Sequence, residues 1–105
     1  MSEYYPDRWK IVKITGSDPH YRVFGYWYGG FTGGDSWKMN SGIVSVAEDE
    51  DAYTFKGHSG SEYRCHKDYY GTSAYGESVL QQYTEANEGA FEVLHEMPDI
   101  MNMTW

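Results

Sequence analysis

The chain has 105 residues, a net charge of −8 and a single cysteine. The length suits one compact domain spanning residues 1–105, the lone Cys65 excludes an internal disulfide and fits a reducing compartment, and no stretch approaches the ~20 apolar residues of a membrane helix. Leu, Ile, Val and Phe together number only 16, which with this charge would normally indicate disorder, but 11 Tyr and 4 Trp supply the missing apolar area, since each large aromatic buries roughly 150–250 Å².

In chain order, "MSEYYPDRWK" lacks the charged-then-apolar pattern of a signal peptide, and a cytoplasmic location is expected. "RWKIVKIT" (8–15) is apolar on both faces and predicts a central strand. "HYRVFGYWY" (20–28) predicts a second, after a turn at "GSDP". "GGFTGGDS" (29–36), with four glycines in eight residues, predicts a flexible loop. From 44 to 66 the pattern has period two. Val44 and Val46, Tyr53 and Phe55, and Tyr63 and Cys65 alternate with polar residues, which predicts three strands with one buried face. Joined through "EDED", Val46 is expected opposite Tyr53 and Val44 opposite Phe55. Joined through "GHSGS", Phe55 is expected opposite Tyr63, Tyr53 opposite Cys65, Lys56 opposite Glu62 and Thr54 opposite Arg64. The period then changes. Tyr75, Val79, Leu80, Tyr83 and Ala86 fall on one face of a helix over about 73–87, capped by Ser73 and stopped near Gly89. "AFEVLHEM" (90–97) predicts a last strand and "PDIMNMTW" a tail pinned by Trp105. The expected fold is α+β, a curled antiparallel sheet of about five or six strands with one helix against it.

Charge is unevenly placed. Residues 68–105 carry seven carboxylates and no Lys or Arg, a charge of −7, whereas residues 1–67 come to −1. So acidic a third argues against direct nucleic-acid binding and suits either a solvated face or a surface for a basic protein, with Glu85, Glu88 and Glu92 as contacts.

The densest polar stretch is "GHSGSEYRCHKDYYG" (57–71). Cys65 and His66 are consecutive in a strand and point to opposite faces, and no further Cys or His follows zinc spacing, so no metal is expected and Cys65 reads as a core residue. "GHSGS" lies between strands and is not a nucleophile elbow. "GGFTGG" lacks the lysine of a P-loop. Glu62, Arg64 and His66 share one strand face, with His58 nearby, and could serve a metal-free nuclease as base, cation and acid. A ligand cradle is the leading expectation. The amides and hydroxyls of Ser59 and Ser61, with His58, Arg64, His66 and Lys67, would hold a phosphate. A base would stack on Trp27 or Trp37, among surplus aromatics that include Tyr26, Tyr28 and Phe31. No cofactor is expected.

"MSEYYPDRWKIVKI", "GDSWKMNSGIVSV", "SGSEYRCHK" and "MPDIMNMTW" together resemble small acidic accessory proteins of tailed phages. That resemblance implies a protein made in the bacterial host's cytoplasm that works by stoichiometric occupation of a target. The target would be a nucleotide-like ligand of host defence, or alternatively a basic host protein bound by residues 68–105. A homo-oligomer is a further possibility.

Overall fold

The computed structural model of the chain describes residues 2–29 and 34–105. Its strands are β1 (Glu3–Tyr4), β2 (Arg8–Ile14), β3 (His20–Trp27), β4 (Ser36–Met39), β5 (Ile43–Glu48), β6 (Ala52–Gly57), β7 (Glu62–His66) and β8 (Phe91–Leu94), and its helix is α1 (Ala74–Ala86). Short 3-10 turns cover Lys67–Tyr69 and Ile100–Asn102. The fold is α+β. In place of one sheet of five or six strands there are two of four, ordered β1-β7-β6-β5 and β4-β3-β2-β8. All pairings are antiparallel except β1 with β7.

The layers follow from alternation. Trp9 and Ile11 of β2 and Val23 of β3 face Phe55, Tyr63 and Cys65 of the other sheet in one buried cluster. Trp9 sits at its centre, with ring centroids 4.8 Å from Tyr70 and 5.5 Å from Phe55, and its Nε1 donates to the His66 carbonyl at 2.7 Å. Val12, Phe24 and Tyr26 point the opposite way and pack on Val79 and Leu80 of α1. Burial on both faces is what made β2 read as central, and it does lie between β3 and β8. The order of layers is therefore sheet, sheet, helix, and among the described residues no further element covers the outer face of β5-β6-β7.

The β6–β7 register is as expected, including Phe55 opposite Tyr63 and Thr54 opposite Arg64. The β5–β6 register is not. Val46 lies opposite Phe55 and Glu48 opposite Tyr53, a slip of two residues. The cause is Asp49, whose Oδ1 accepts from the amides of Asp51 and Ala52 at 2.8 and 2.9 Å and tightens the turn. A slip of two preserves the face of Val46. A bulge between Ile43 and Ser45 then reverses the remaining alternation. Ile43 turns inward, and Val44 is exposed instead of buried opposite Phe55.

The helix begins and ends where expected, with the Ser73 side chain accepting from the Gly76 amide and Asn87 as C-cap. Its buried residues are Gly76, Val79 and Leu80, whereas Tyr75, Tyr83 and Ala86 of the anticipated stripe are exposed. Trp105 pins the chain end, its ring packing 5.4 Å from Tyr21 and 5.8 Å from Phe55. Residues 30–33 of the glycine-rich segment, including Phe31, lie outside the described residues, and so does the flexible loop expected there. Among the described residues no helix is long and apolar enough to cross a membrane.

Candidate functional site

The residues expected to form the cradle are dispersed. Glu62, Arg64 and His66 do share the outer face of β7, alternating with buried Tyr63 and Cys65. Their side chains are engaged separately. Arg64 Nη2 donates to Asp49 Oδ2 at 3.0 Å. Asp49 titrates below the usual carboxylate range, first because of the Asp51 and Ala52 amides and then because of Arg64. His66 Nδ1 accepts from the Asp68 amide at 3.1 Å, and its ring stacks on Tyr69 at 4.4 Å. Lys67 Nζ donates to Glu48 Oε2 at 2.7 Å, a bond that raises the lysine pKa. Glu62 and Arg64 line a shallow recess beside Tyr4 and Tyr5 that His66 does not reach.

Four of the five amides of the GHSGS turn are equally occupied. Gly57 donates to Ser61 O, His58 to Gly42 O, Gly60 to Gly57 O and Ser59 to Ser41 Oγ, all at 2.9–3.0 Å. Ser59 Oγ turns to Ser61 Oγ at 3.4 Å. A tight turn that meets its own hydrogen-bonding needs has few donors left for a phosphate. The tryptophans are on different layers. Trp27 faces the space between the sheets, beside Tyr4, with Nε1 donating to the Tyr5 carbonyl. Trp37 is on the helix side, stacked on Phe24 at 5.6 Å. Of the acidic residues, Glu85 and Glu88 are exposed at the end of α1, and Glu92 is on β8 opposite Lys13.

The structure assembles a different site from residues far apart in sequence. The chain passes from one sheet to the other between β4 and β5. Asn40 still pairs with Val23 through both its backbone amide and its side-chain oxygen, and Gly42 then turns the corner with φ +128°. A cleft of about 380 Å³ opens there, walled by Asp18 before β3, His20 and Arg22 of β3, Ser41 and Ile43 at the corner, His58 of the β6–β7 turn and Trp105. An ideal Cβ on Gly42 would lie 2.9 Å from His58 Cδ2 and 3.2 Å from His20 Cδ2, so the two imidazoles flank this glycine closely.

The hydrogen bonds fix one imidazole. Arg22 Nε donates to His20 Nε2 at 2.9 Å, and His20 Nδ1 donates to the Asp18 carbonyl at 2.7 Å. Accepting at Nε2 while donating at Nδ1 makes His20 the neutral Nδ1–H form in this arrangement. Among the described residues no carboxylate lies within ion-pair distance of Arg22. Its terminal nitrogens accordingly keep their donors with no carboxylate beside them, whereas Arg64 is paired with Asp49. Beneath the corner, the buried Nδ2 of Asn40 has no partner among the described residues. A buried donor left unpaired costs about 1–3 kcal/mol.

Of the ligand contacts expected from the sequence, only His58 borders this cleft, and Ser59 is tied to it through Ser41. His20 and Arg22 were legible only as polar positions i and i+2 of a strand, and Trp105 only as an anchor. Among the described residues no cluster of three or more His, Cys, Asp or Glu is placed to hold a metal ion. Comparison with models of protein families, with curated proteins and with solved structures finds no match to this chain.

Proposed function

We propose that this chain is a non-catalytic binding protein of the phage accessory type that sequesters a small phosphorylated, nucleotide-like ligand in the corner cleft. The observation that carries the reading is Arg22, a guanidinium with no acidic partner among the described residues, beside two imidazoles and an indole in one cleft. A guanidinium fork matches a phosphate's oxygens and makes charge-assisted hydrogen bonds. Its link to His20 orders the fork before a ligand arrives, which lowers the entropic cost of binding. Ser41 Oγ already accepts from Ser59 N, so its own proton remains to donate to an anion. The edge of Trp105 offers a surface for a base, and base–aromatic stacking contributes about 1–3 kcal/mol. Withholding such a ligand from a host enzyme is how a protein of this kind would blunt host defence.

The test is calorimetry against inorganic phosphate and a panel of mono-, di- and cyclic nucleotides, followed by recovery of the ligand. Arg22→Ala is expected to weaken binding about tenfold to a hundredfold, from bonds worth about 1.5–3 kcal/mol. Arg64→Ala, which removes a guanidinium already paired with Asp49, is expected to leave it unchanged. Intact recovery separates sequestration from hydrolysis by a small nuclease. Loss of binding in Arg64→Ala but not Arg22→Ala would return the site to the outer face of β7, and absence of heat with every ligand would remove the reading.

A further inference from the structure

We infer that the solvent-facing side of α1 is a docking groove for a basic protein segment with an apolar anchor, on a surface separate from the corner cleft. The groove, about 590 Å³, is formed by Trp37 of β4 and the helix residues Tyr75, Val79, Gln82, Tyr83 and Ala86. Spacings of three and four residues place these on one continuous stripe. At 1.5 Å per residue the stripe is about 17 Å long. It exists because the helix is apolar over a wider arc than the sheet covers. Leu80 and Val79 are consumed by the core, while Tyr75 and Tyr83 remain 51% and 37% exposed. Trp37 meets Tyr83 edge-on at 5.6 Å and forms the opposite wall.

Charge determines the occupant. No Lys or Arg occurs between residues 68 and 105. The last turn of α1 has no basic residue, so the negative end of the helix dipole meets Glu85 and Glu88. At the other end Tyr26, which packs on Tyr75, donates to the Asp35 carboxylate. That bond, with one from the Gly29 amide, holds Asp35 below the usual carboxylate range and keeps it ionised. The nearby cations are directed elsewhere. Lys38 sits over the Tyr4 ring, Lys10 is paired with Glu77, and Arg22 lines the corner cleft and the recess by Asn87 but not this groove. An apolar floor with negative charge at both ends fits a helix or extended segment bearing Leu or Trp flanked by Lys and Arg. A second copy of this chain would bring −8 against −8.

The probe is a synthetic amphipathic peptide of about 16 residues with Leu and Trp on one face and Lys and Arg flanking them, compared with a counterpart in which Glu replaces every Lys and Arg. NMR of the intact protein should show shifts confined to Trp37 Nε1–H and residues 75–88 with the basic peptide, and none with the acidic one. Affinity should fall with salt, because the Debye length shortens from about 30 Å at 0.01 M to 8 Å at 0.15 M. Ser78→Arg combined with Ala86→Arg, both at exposed helix positions, should weaken the basic peptide at least about tenfold with an unchanged melting temperature. Equal binding of the two peptides, shifts centred elsewhere, or concentration-dependent dimerisation through this face would each overturn the inference. Phosphate binding by the corner cleft is measured separately, so the two sites fail independently.

Discussion

Gly42 connects fold to site, and replacing it with alanine separates the two. Its φ of +128° is a backbone conformation that side chains other than glycine rarely adopt, so Gly42→Ala should cost about 1–3 kcal/mol from backbone strain alone. The new Cβ would stand 2.9 Å from His58 Cδ2, closer than carbon atoms tolerate. His58 is exposed on a turn, so its ring can swing aside, and the contact should cost little stability while removing an imidazole from the cleft. Gly89→Ala supplies the comparison. It also has a positive φ, of +81°, but nothing lies within 4 Å of its added Cβ, so it should lose about 1–2 kcal/mol without affecting the cleft. Gly16→Ala, whose Cβ would meet only Ala90 at 3.8 Å, should change stability by less than about 0.5 kcal/mol. The assay is urea denaturation of each variant, with calorimetric titration of the best nucleotide from the panel. His58→Ala should weaken binding, Gly42→Ala should weaken it at least as much because its Cβ also crowds His20 at 3.2 Å, and the double variant should bind no more weakly than Gly42→Ala, because the His58 contact is lost only once. A Gly42→Ala protein as stable as the parent would refute the corner geometry. A double variant whose binding loss equals the sum of the single losses would refute the link between Gly42 and His58.

Phe55→Ala should destabilise by about 3–5 kcal/mol, since Phe55 is fully buried against Trp9 and Trp105, whereas Thr54→Ala should lose under about 1 kcal/mol; equal losses in chemical denaturation would contradict the inward alternation of β6. Cys65 is fully buried and burial pushes its thiol pKa well up, so a thiol reagent should label it slowly in native buffer and quickly in denaturant. Burial pushes the phenols of Tyr63 and Tyr70 up to about 12. Because the folded protein holds these two protons after the unfolded chain, with pKa values near 10, has released them, stability should be intact below pH 10 and fall as pH rises toward 12. Absorbance titration should show at least these two phenols ionising late and together with unfolding, and Tyr70→Phe should remove one late-ionising phenol.

Much of the architecture is local and therefore legible in the sequence. Tyr53, Phe55, Tyr63 and Cys65 alternate with polar residues, which puts all four on the core-facing side, and the GHSGS turn sets which of them lie opposite each other. The limits of α1 follow from Ser73 and Asn87 with the residues between them, because capping and helical periodicity act within a few residues. Where a side chain intervened, pattern alone misled. Asp49 tightened the β5–β6 turn and shifted its register by two, and the bulge at Ile43–Ser45 exposed Val44. Alternation also could not divide eight strands into two sheets, since which faces meet depends on contacts distant in the chain.

The candidate site was the least legible part. Arg64, His66 and Lys67 are neighbours in sequence, but the fold supplies Asp49, the Asp68 amide and Glu48 as their partners. His20, Arg22, Ser41, His58 and Trp105 come from four distant segments and meet only because the chain changes sheets at Gly42. Composition and periodicity by themselves determine that this acidic, aromatic chain forms half-buried strands and one capped helix, because those preferences are set by near neighbours. Only tertiary closure decides which cations remain unpaired and which rings share a cleft, because charge pairing and burial depend on distances that sequence separation does not encode.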